Sequence, residues 1–123
     1  MKVCIIDDSQ ACREGVSAML SSFPDVEIIC LSSTDGDAIE MVRRESPAAI
    51  ILDSELDGFD CVEAVRAIKE LKPSPAVIVL CNHPNPHFRK LERTFMQSGA
   101  DHFLDKLLEM DRVPELMERV LKG

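Results

Sequence analysis

The chain contains no tryptophan and no tyrosine, so its only aromatic core candidates are five phenylalanines. No stretch approaches the ~20 consecutive apolar residues that a membrane-spanning helix needs. The N-terminus has neither the basic n-region nor the long apolar h-region of a signal peptide. Basic residues are few: 14 Lys and Arg against 22 Asp and Glu leave a formal charge of −8. That sign argues against non-specific attraction to nucleic acid or an anionic membrane, and suits a basic partner or a bound cation. No C-x-x-C pair occurs, and the cysteines (Cys4, Cys12, Cys30, Cys61 and Cys81) are odd in number and scattered. Several sit in apolar runs, where a free thiol behaves as a small hydrophobe; the reading is reduced thiols in a cytoplasmic protein. Linkers, low-complexity segments and internal sequence repeats are missing too. Residues 1–123 therefore read as a single domain, long enough to bury about two-thirds of its unfolded surface.

What the chain does have is an alternation. Short apolar runs, Val3–Ile6, Val26–Leu31, Ala48–Leu52, Ala76–Leu80 and a weaker His102–Leu104, have strand length. The first four lack polar interruption apart from Glu27, the pattern of strands covered on both faces. Between them apolar residues recur at helical spacing: Cys12, Val16, Met19, Leu20 and Phe23 after the N-cap candidate Ser9, then Ala38, Ile39 and Val42 from a start near Asp35. Cys61, Ala64, Val65, Ile68 and Leu71 form a third helical pattern closed off by Pro73. Phe88, Leu91 and Phe95 form a fourth, ending at Gly99, and Val113, Leu116, Met117, Val120 and Leu121 the fifth. Five β-α units imply an α/β fold with a mostly parallel sheet and helices on both faces.

In open parallel sheets, sites form at the carboxyl ends of the strands. Strand one, in KVCIIDDSQ, ends in Asp7 and Asp8; strand three ends in Asp53, strand four in Cys81, and strand five is followed by Lys106. Neighbouring carboxylates resist ionising together. A divalent cation removes that difficulty, and an all-oxygen site with few protein ligands suits Mg²⁺. Opposite the metal, a lysine would bind a phosphate as a point charge. The set suits phosphoryl transfer onto a carboxylate, with Asp53 as the attacking group. Taken singly, each acid reads as a loop residue or a helix cap; the three acids and Lys106 together point to a site.

With the acidic pair in IIDDS, the aspartate in IILDSELDG and the lysine in GADHFLDK, the whole chain resembles the receiver domain of bacterial response regulators. The resemblance implies a flavodoxin-like (βα)5 three-layer sandwich with parallel strand order 2-1-3-4-5. It implies Asp53 as phosphoacceptor, Asp8 as a direct Mg²⁺ ligand and Asp7 as a water-mediated one. Asp53 and the backbone carbonyl of Glu55 complete the metal set, Lys106 contacts the phosphoryl group, and Phe103 is the switch aromatic. Cys81 stands where the family carries Thr or Ser, and a thiol is the weaker donor. Asp57 replaces a common proline, Cys61 a glycine, and Asn82 a smaller residue. Leu107 replaces the proline after the lysine, which leaves the family's cis peptide at that bond open. Glu55 and His83 occupy the positions that tune phosphoryl lifetime.

The function so implied is two-component signalling by a stand-alone or excised receiver, a phosphoacceptor switch rather than an enzyme. The donor is a histidine kinase or histidine phosphotransfer protein, and the output surface lies around strand five and helices four and five. Arg89, Lys90, Arg93, Arg112 and Arg119 form its rim or simply a solvated face. A homodimer on phosphorylation is one outcome, and neither nucleic acid nor membrane is a partner of this domain. The alternative is a pseudo-receiver binding partners independently of phosphorylation. An aspartyl phosphatase would want D-x-D on the first strand instead of adjacent acids. A flavin site would want a less acidic first turn than DDSQA. A calcium loop at DSELDG fails at its twelfth position, Ala64, and Cys81, His83 and His87 make a poor zinc set.

Overall fold

Successive residues of a strand point to opposite faces, and here the two faces feed two separate cores. In β1 (Lys2–Ile6), Cys4 and Ile6 join one cluster while Val3 and Ile5 join the other. The same division runs through β3 (Ala49–Asp53), with Ile50 and Leu52 on one side and Ala49 and Ile51 on the other. A strand buried on both faces must be apolar along its buried length, and β4 (Ala76–Cys81) is, as is β3 up to Asp53 at its end.

The computed structural model describes residues 1–32, 37–82 and 84–122. The remaining elements are α1 (Gln10–Leu20), β2 (Glu27–Leu31), α2 (Ala38–Glu45), α3 (Cys61–Lys69), α4 (Phe88–Gln97), β5 (His102–Asp105) and α5 (Val113–Lys122), with a 3-10 turn at Met110–Arg112. All strand pairings are parallel, in the order β2-β1-β3-β4-β5, the architecture the resemblance implied. One core packs under α2, α3 and α4, the other under α1 and α5.

Side-chain oxygens start three of the helices. Ser9, Asp37 and Asp60 accept from the backbone N–H of Cys12, Glu40 and Glu63 at 3.1, 3.1 and 3.0 Å. Ser9 is the cap read from the sequence; the expected start of α2 near Asp35 lies outside the described residues. Gly99, at φ +114°, turns the chain from α4 into β5, and a Cβ there would lie 3.0 Å from Lys69 Cγ.

One expectation is corrected. β2 is an edge strand whose two faces are covered only in part: Ile29 and Leu31 reach one core and Ile28 the other, while Glu27 and Cys30 are exposed. Its short apolar run hid this because Ile28, Ile29 and Leu31 still pack inward. Among the described residues the cis peptide is Lys72–Pro73, and the Lys106–Leu107 bond is not cis.

Candidate functional site

Parallel pairing brings the strand ends together in register. Ile6 pairs with Leu52, so Asp7 and Asp53 are the next residues along two adjacent strands. β5 pairs with β4 through Cys81 and Asp105, and the ladder continues one step when Lys106 N–H donates to the Cys81 carbonyl at 2.9 Å. Lys106 is thus delivered to the same edge as the two acids, although 99 positions separate it from Asp7.

The Lys106 ammonium lies between the carboxylates, 3.0 Å from Asp7 Oδ2 and 3.3 Å from Asp53 Oδ1. Asp7 is 1% exposed and Asp53 9%. Asp7 Oδ1 also accepts from Ser9 N–H at 2.9 Å, and its carbonyl accepts from the Arg13 guanidinium at 2.6 Å. Asp53 Oδ1 accepts from Glu55 N–H at 3.3 Å. Asp8 is exposed at the rim. Glu55 is exposed too, and its carboxylate accepts from the Asn85 amide.

Two buried carboxylates face one ammonium, so the pocket holds more negative charge than it neutralises. Burial pushes the Asp53 carboxyl above its ordinary range; Lys106 opposes this and Asp7 adds to it. For Lys106 burial works against the charged form, but the charge of Asp53 and the bond to Asp7 outweigh it and the pKa is raised. The donor chemistry therefore suits a hard divalent cation: carboxylate oxygens in surplus over positive charge. Among the described residues, however, no three His, Cys, Asp or Glu side chains converge as a ready-made ligand set. Asp7 and Asp53 turn to the ammonium instead.

Cys81 ends β4 fully buried, its thiol directed to the Asn82 carbonyl at 3.7 Å. Burial raises its pKa; the neighbouring Ser54 hydroxyl opposes the rise, while the charges of Glu55 and Asp53 add to it. Phe103, buried on the same face, packs on Phe88 (centroids 5.2 Å apart, planes at 68°) and Phe95 (5.8 Å, 30°). A path of contacts thus runs from the strand edge to α4. Beyond it, Phe88, Phe103 and Leu108 line a groove of about 360 Å³ flanked by Arg89 and Arg112. The Asp105 carboxylate accepts from Leu107 and Leu108 N–H at 2.8 and 3.3 Å, a turn that leaves both leucines exposed. A hollow of about 350 Å³ at the opposite end of the strands, lined by Met1, Phe23 and Leu121, is remote from the acids.

Of the residues singled out in the sequence, Asp7, Asp53 and Lys106 are in contact, with Asp8 and Glu55 at the rim and Cys81 beside them. Phe103 stands one layer below. His83 lies outside the described residues. The sequence reading passed over Cys12, Arg13 and Ser54. Cys12 belongs to the pocket wall: burial and a hydrogen bond with Asp7 push its thiol up to about 12. Neither Cys12 nor Ser54 carried a signal in the sequence: the first reads as a core position of a helix, the second as an ordinary polar residue after Asp53.

A family model described as the response regulator receiver domain matches residues 3–118. The transcriptional regulatory protein LiaR of Bacillus subtilis is 32% identical over 125 residues, covering 100% of this chain and 57% of its own length. The transcriptional regulatory protein DegU of Brevibacillus brevis is 28% identical over 123 residues, covering 100% of this chain and 51% of its own. The chain thus spans about half the length of these curated relatives. Among solved structures, the isolated REC domain of RcsB from Salmonella enterica serovar Typhimurium superposes with a TM-score of 0.82 at 21% identity, covering 100% of this chain and 89% of that one.

Proposed function

We propose that this chain, which belongs to the response regulator receiver domain family of two-component systems, is a phosphorylation-controlled switch in which Asp53 accepts a phosphoryl group. Residues 1–123 act in it as one receiver unit, and the donor is a histidine kinase or a histidine phosphotransfer protein. The observation that supports this reading most directly is the Lys106 ammonium held between two buried carboxylates, at 3.0 and 3.3 Å.

Transfer needs an ionised nucleophile in a pocket that disfavours charge. Burial raises the Asp53 pKa, and the positive charge of Lys106 opposes the rise and so favours the ionised form. A carboxylate oxygen of Asp53 bonds to phosphorus as the phosphorus–nitrogen bond of the donor breaks, and the electron pair stays on the departing imidazole nitrogen. Glu55 N–H steadies the Asp53 carboxylate meanwhile. Lys106 offers the incoming oxygens a positive charge, while Asp7 keeps the lysine in place. Asp7, Asp8, Asp53 and the Glu55 carbonyl are the groups that would hold Mg²⁺. When bound, the ion supplies Lewis-acid neutralisation of the phosphoryl oxygens. The chain is a stoichiometric acceptor that contributes to its own phosphoryl transfer and hydrolysis, not an enzyme acting on a separate substrate.

The phosphoryl group adds about −1.5 to −2 of charge beside Lys106 and Cys81. That change biases the packing of Phe103 between Phe88 and Phe95, and through it the groove formed by β5, α4 and the start of α5. This face is the surface offered to a downstream protein or a second copy of the chain, in the cytoplasm. Beryllofluoride, named as a phosphomimetic for the RcsB domain, is the natural probe. Intact mass after incubation with acetyl phosphate and Mg²⁺ tests the central step. A labile gain of one phosphoryl group, absent in Asp53→Asn, is expected; no gain, or a gain kept by Asp53→Asn, rejects it.

The buried thiol of Cys81 favours one competing reading, a pseudo-receiver that binds its partner regardless of phosphorylation. Amides of Asp8, Asp53 and Lys106 that ignore beryllofluoride and Mg²⁺ would select that reading.

A further inference from the structure

Ser54 follows Asp53 directly, and its backbone N–H is committed to the Leu80 carbonyl at 2.9 Å. The residue is 8% exposed, and among the described residues its Oγ is the buried side-chain oxygen or nitrogen that lacks a hydrogen-bond partner. Buried hydroxyls almost always find one, and leaving one unmade destabilises the fold. Alanine would occupy nearly the same space without that penalty. Ser54 continues the Ile50–Leu52 face of β3, so it stands beside Cys81 on the face that also carries Phe103. Its polar neighbour there is the Cys81 thiol, a weak acceptor whose own hydrogen is directed to the Asn82 carbonyl, so the hydroxyl has no strong partner at rest.

Around it the pocket is poor in donors. Asp7 and Asp53 are acceptors when ionised, and Lys106 is already shared between them. A phosphoryl group on Asp53 would bring three strong acceptor oxygens into this space. We infer that the Ser54 hydroxyl is a donor held ready for the phosphoryl group on Asp53, without a strong acceptor in the resting fold and fully satisfied only in the phosphorylated one. The inference rests on the function proposed above. It also assigns the site a second contact to the group besides Lys106, on the side of the pocket that leads to Phe103.

The test compares beryllofluoride binding in Mg²⁺ by the wild-type chain and by Ser54→Ala, with urea unfolding of both in the absence of the ligand. Ser54→Ala is expected to weaken binding about tenfold or more, equivalent to about 1.4 kcal/mol, with an unfolding midpoint equal to or above wild type. Unchanged binding by Ser54→Ala overturns the inference alone. So does a clearly lowered midpoint, since it would mean that the hydroxyl is satisfied at rest. A wild-type chain that neither binds beryllofluoride nor gains a phosphoryl group overturns the proposed function, and the inference with it.

Discussion

Replacing Lys106 by Met removes the ammonium that two buried carboxylates share and keeps most of the apolar stem. At 3.0 and 3.3 Å each attraction is about 5 kcal/mol gross at an effective dielectric near 20. Part of that is offset in wild type by the desolvation of the lysine, so removing one partner of such a buried set costs about 3 to 5 kcal/mol. Lys106 and Asp53 keep some solvent contact, which favours the lower end. We expect a loss of about 3 kcal/mol at pH 7, read as a lowered urea midpoint at constant m.

The pH dependence sharpens the test. The folded-state pKa of Asp53 lies above its ordinary 3.8. Its contribution to stability is therefore fully present below about pH 3.8 and is lost as pH rises through the raised value. In Lys106→Met the opposing influence of the lysine is gone and the rise is larger. The deficit against wild type should narrow as pH falls from about 7 toward 4, as Asp53 takes up its proton. Lys106 is itself raised above 10.5 and stays charged throughout. The same substitution on an Asp53→Asn background should cost less, because one of the stranded charges is already gone. A deficit near or below 1 kcal/mol, the size of an exposed pair, or one flat from about pH 7 to 4, would refute the reasoning.

Two glycines should respond oppositely to alanine. Gly15, exposed in α1 with nothing within 4 Å of an added Cβ, should gain about 0.5–1 kcal/mol. Gly99, at φ +114° against Lys69, should lose about 1 kcal/mol or more, both read by urea unfolding. Alkylation at pH 8, followed by peptide mass, should mark exposed Cys30 first. Cys4 and Cys12, pushed up to about 12, and Cys61, at about 11, should stay unmodified until the chain unfolds. Cys81→Thr should enlarge the beryllofluoride-induced amide shifts at Phe103 while leaving phosphoryl acceptance nearly unchanged. Equal shifts in variant and wild type would remove the thiol from the transmission path.

The architecture was legible because each strand of a doubly covered parallel sheet must be apolar on both faces, and four of the five runs stand out against amphipathic neighbours. Periodicity failed at β2, where an edge position cannot be told from a central one when three of five residues still face helices. The site was legible at Asp7, Asp53 and Lys106, since strand ends in this topology share one edge. Composition and spacing carried no sign that Lys106 would lie between both acids, because that follows from the reach of its side chain across two neighbouring strands. Nor could they show Cys12 in the pocket wall. A cysteine in an amphipathic helix reads as core, and only the placement of α1 over the sheet turns it toward Asp7. Ser54 needed the count of satisfied hydroxyls, which is a property of coordinates alone.

The bond from Lys106 to Asp7 joins residues 99 positions apart, and it has a consequence for chains still being made. During synthesis the first strand and the nucleophile emerge long before the lysine that balances them. Until β5 docks at the sheet's edge, a nascent chain holds its acids without their counterion. Under the proposed function, competence to accept a phosphoryl group therefore arrives only once β5 has been made and docked, and a nascent chain short of it stays silent toward the donor.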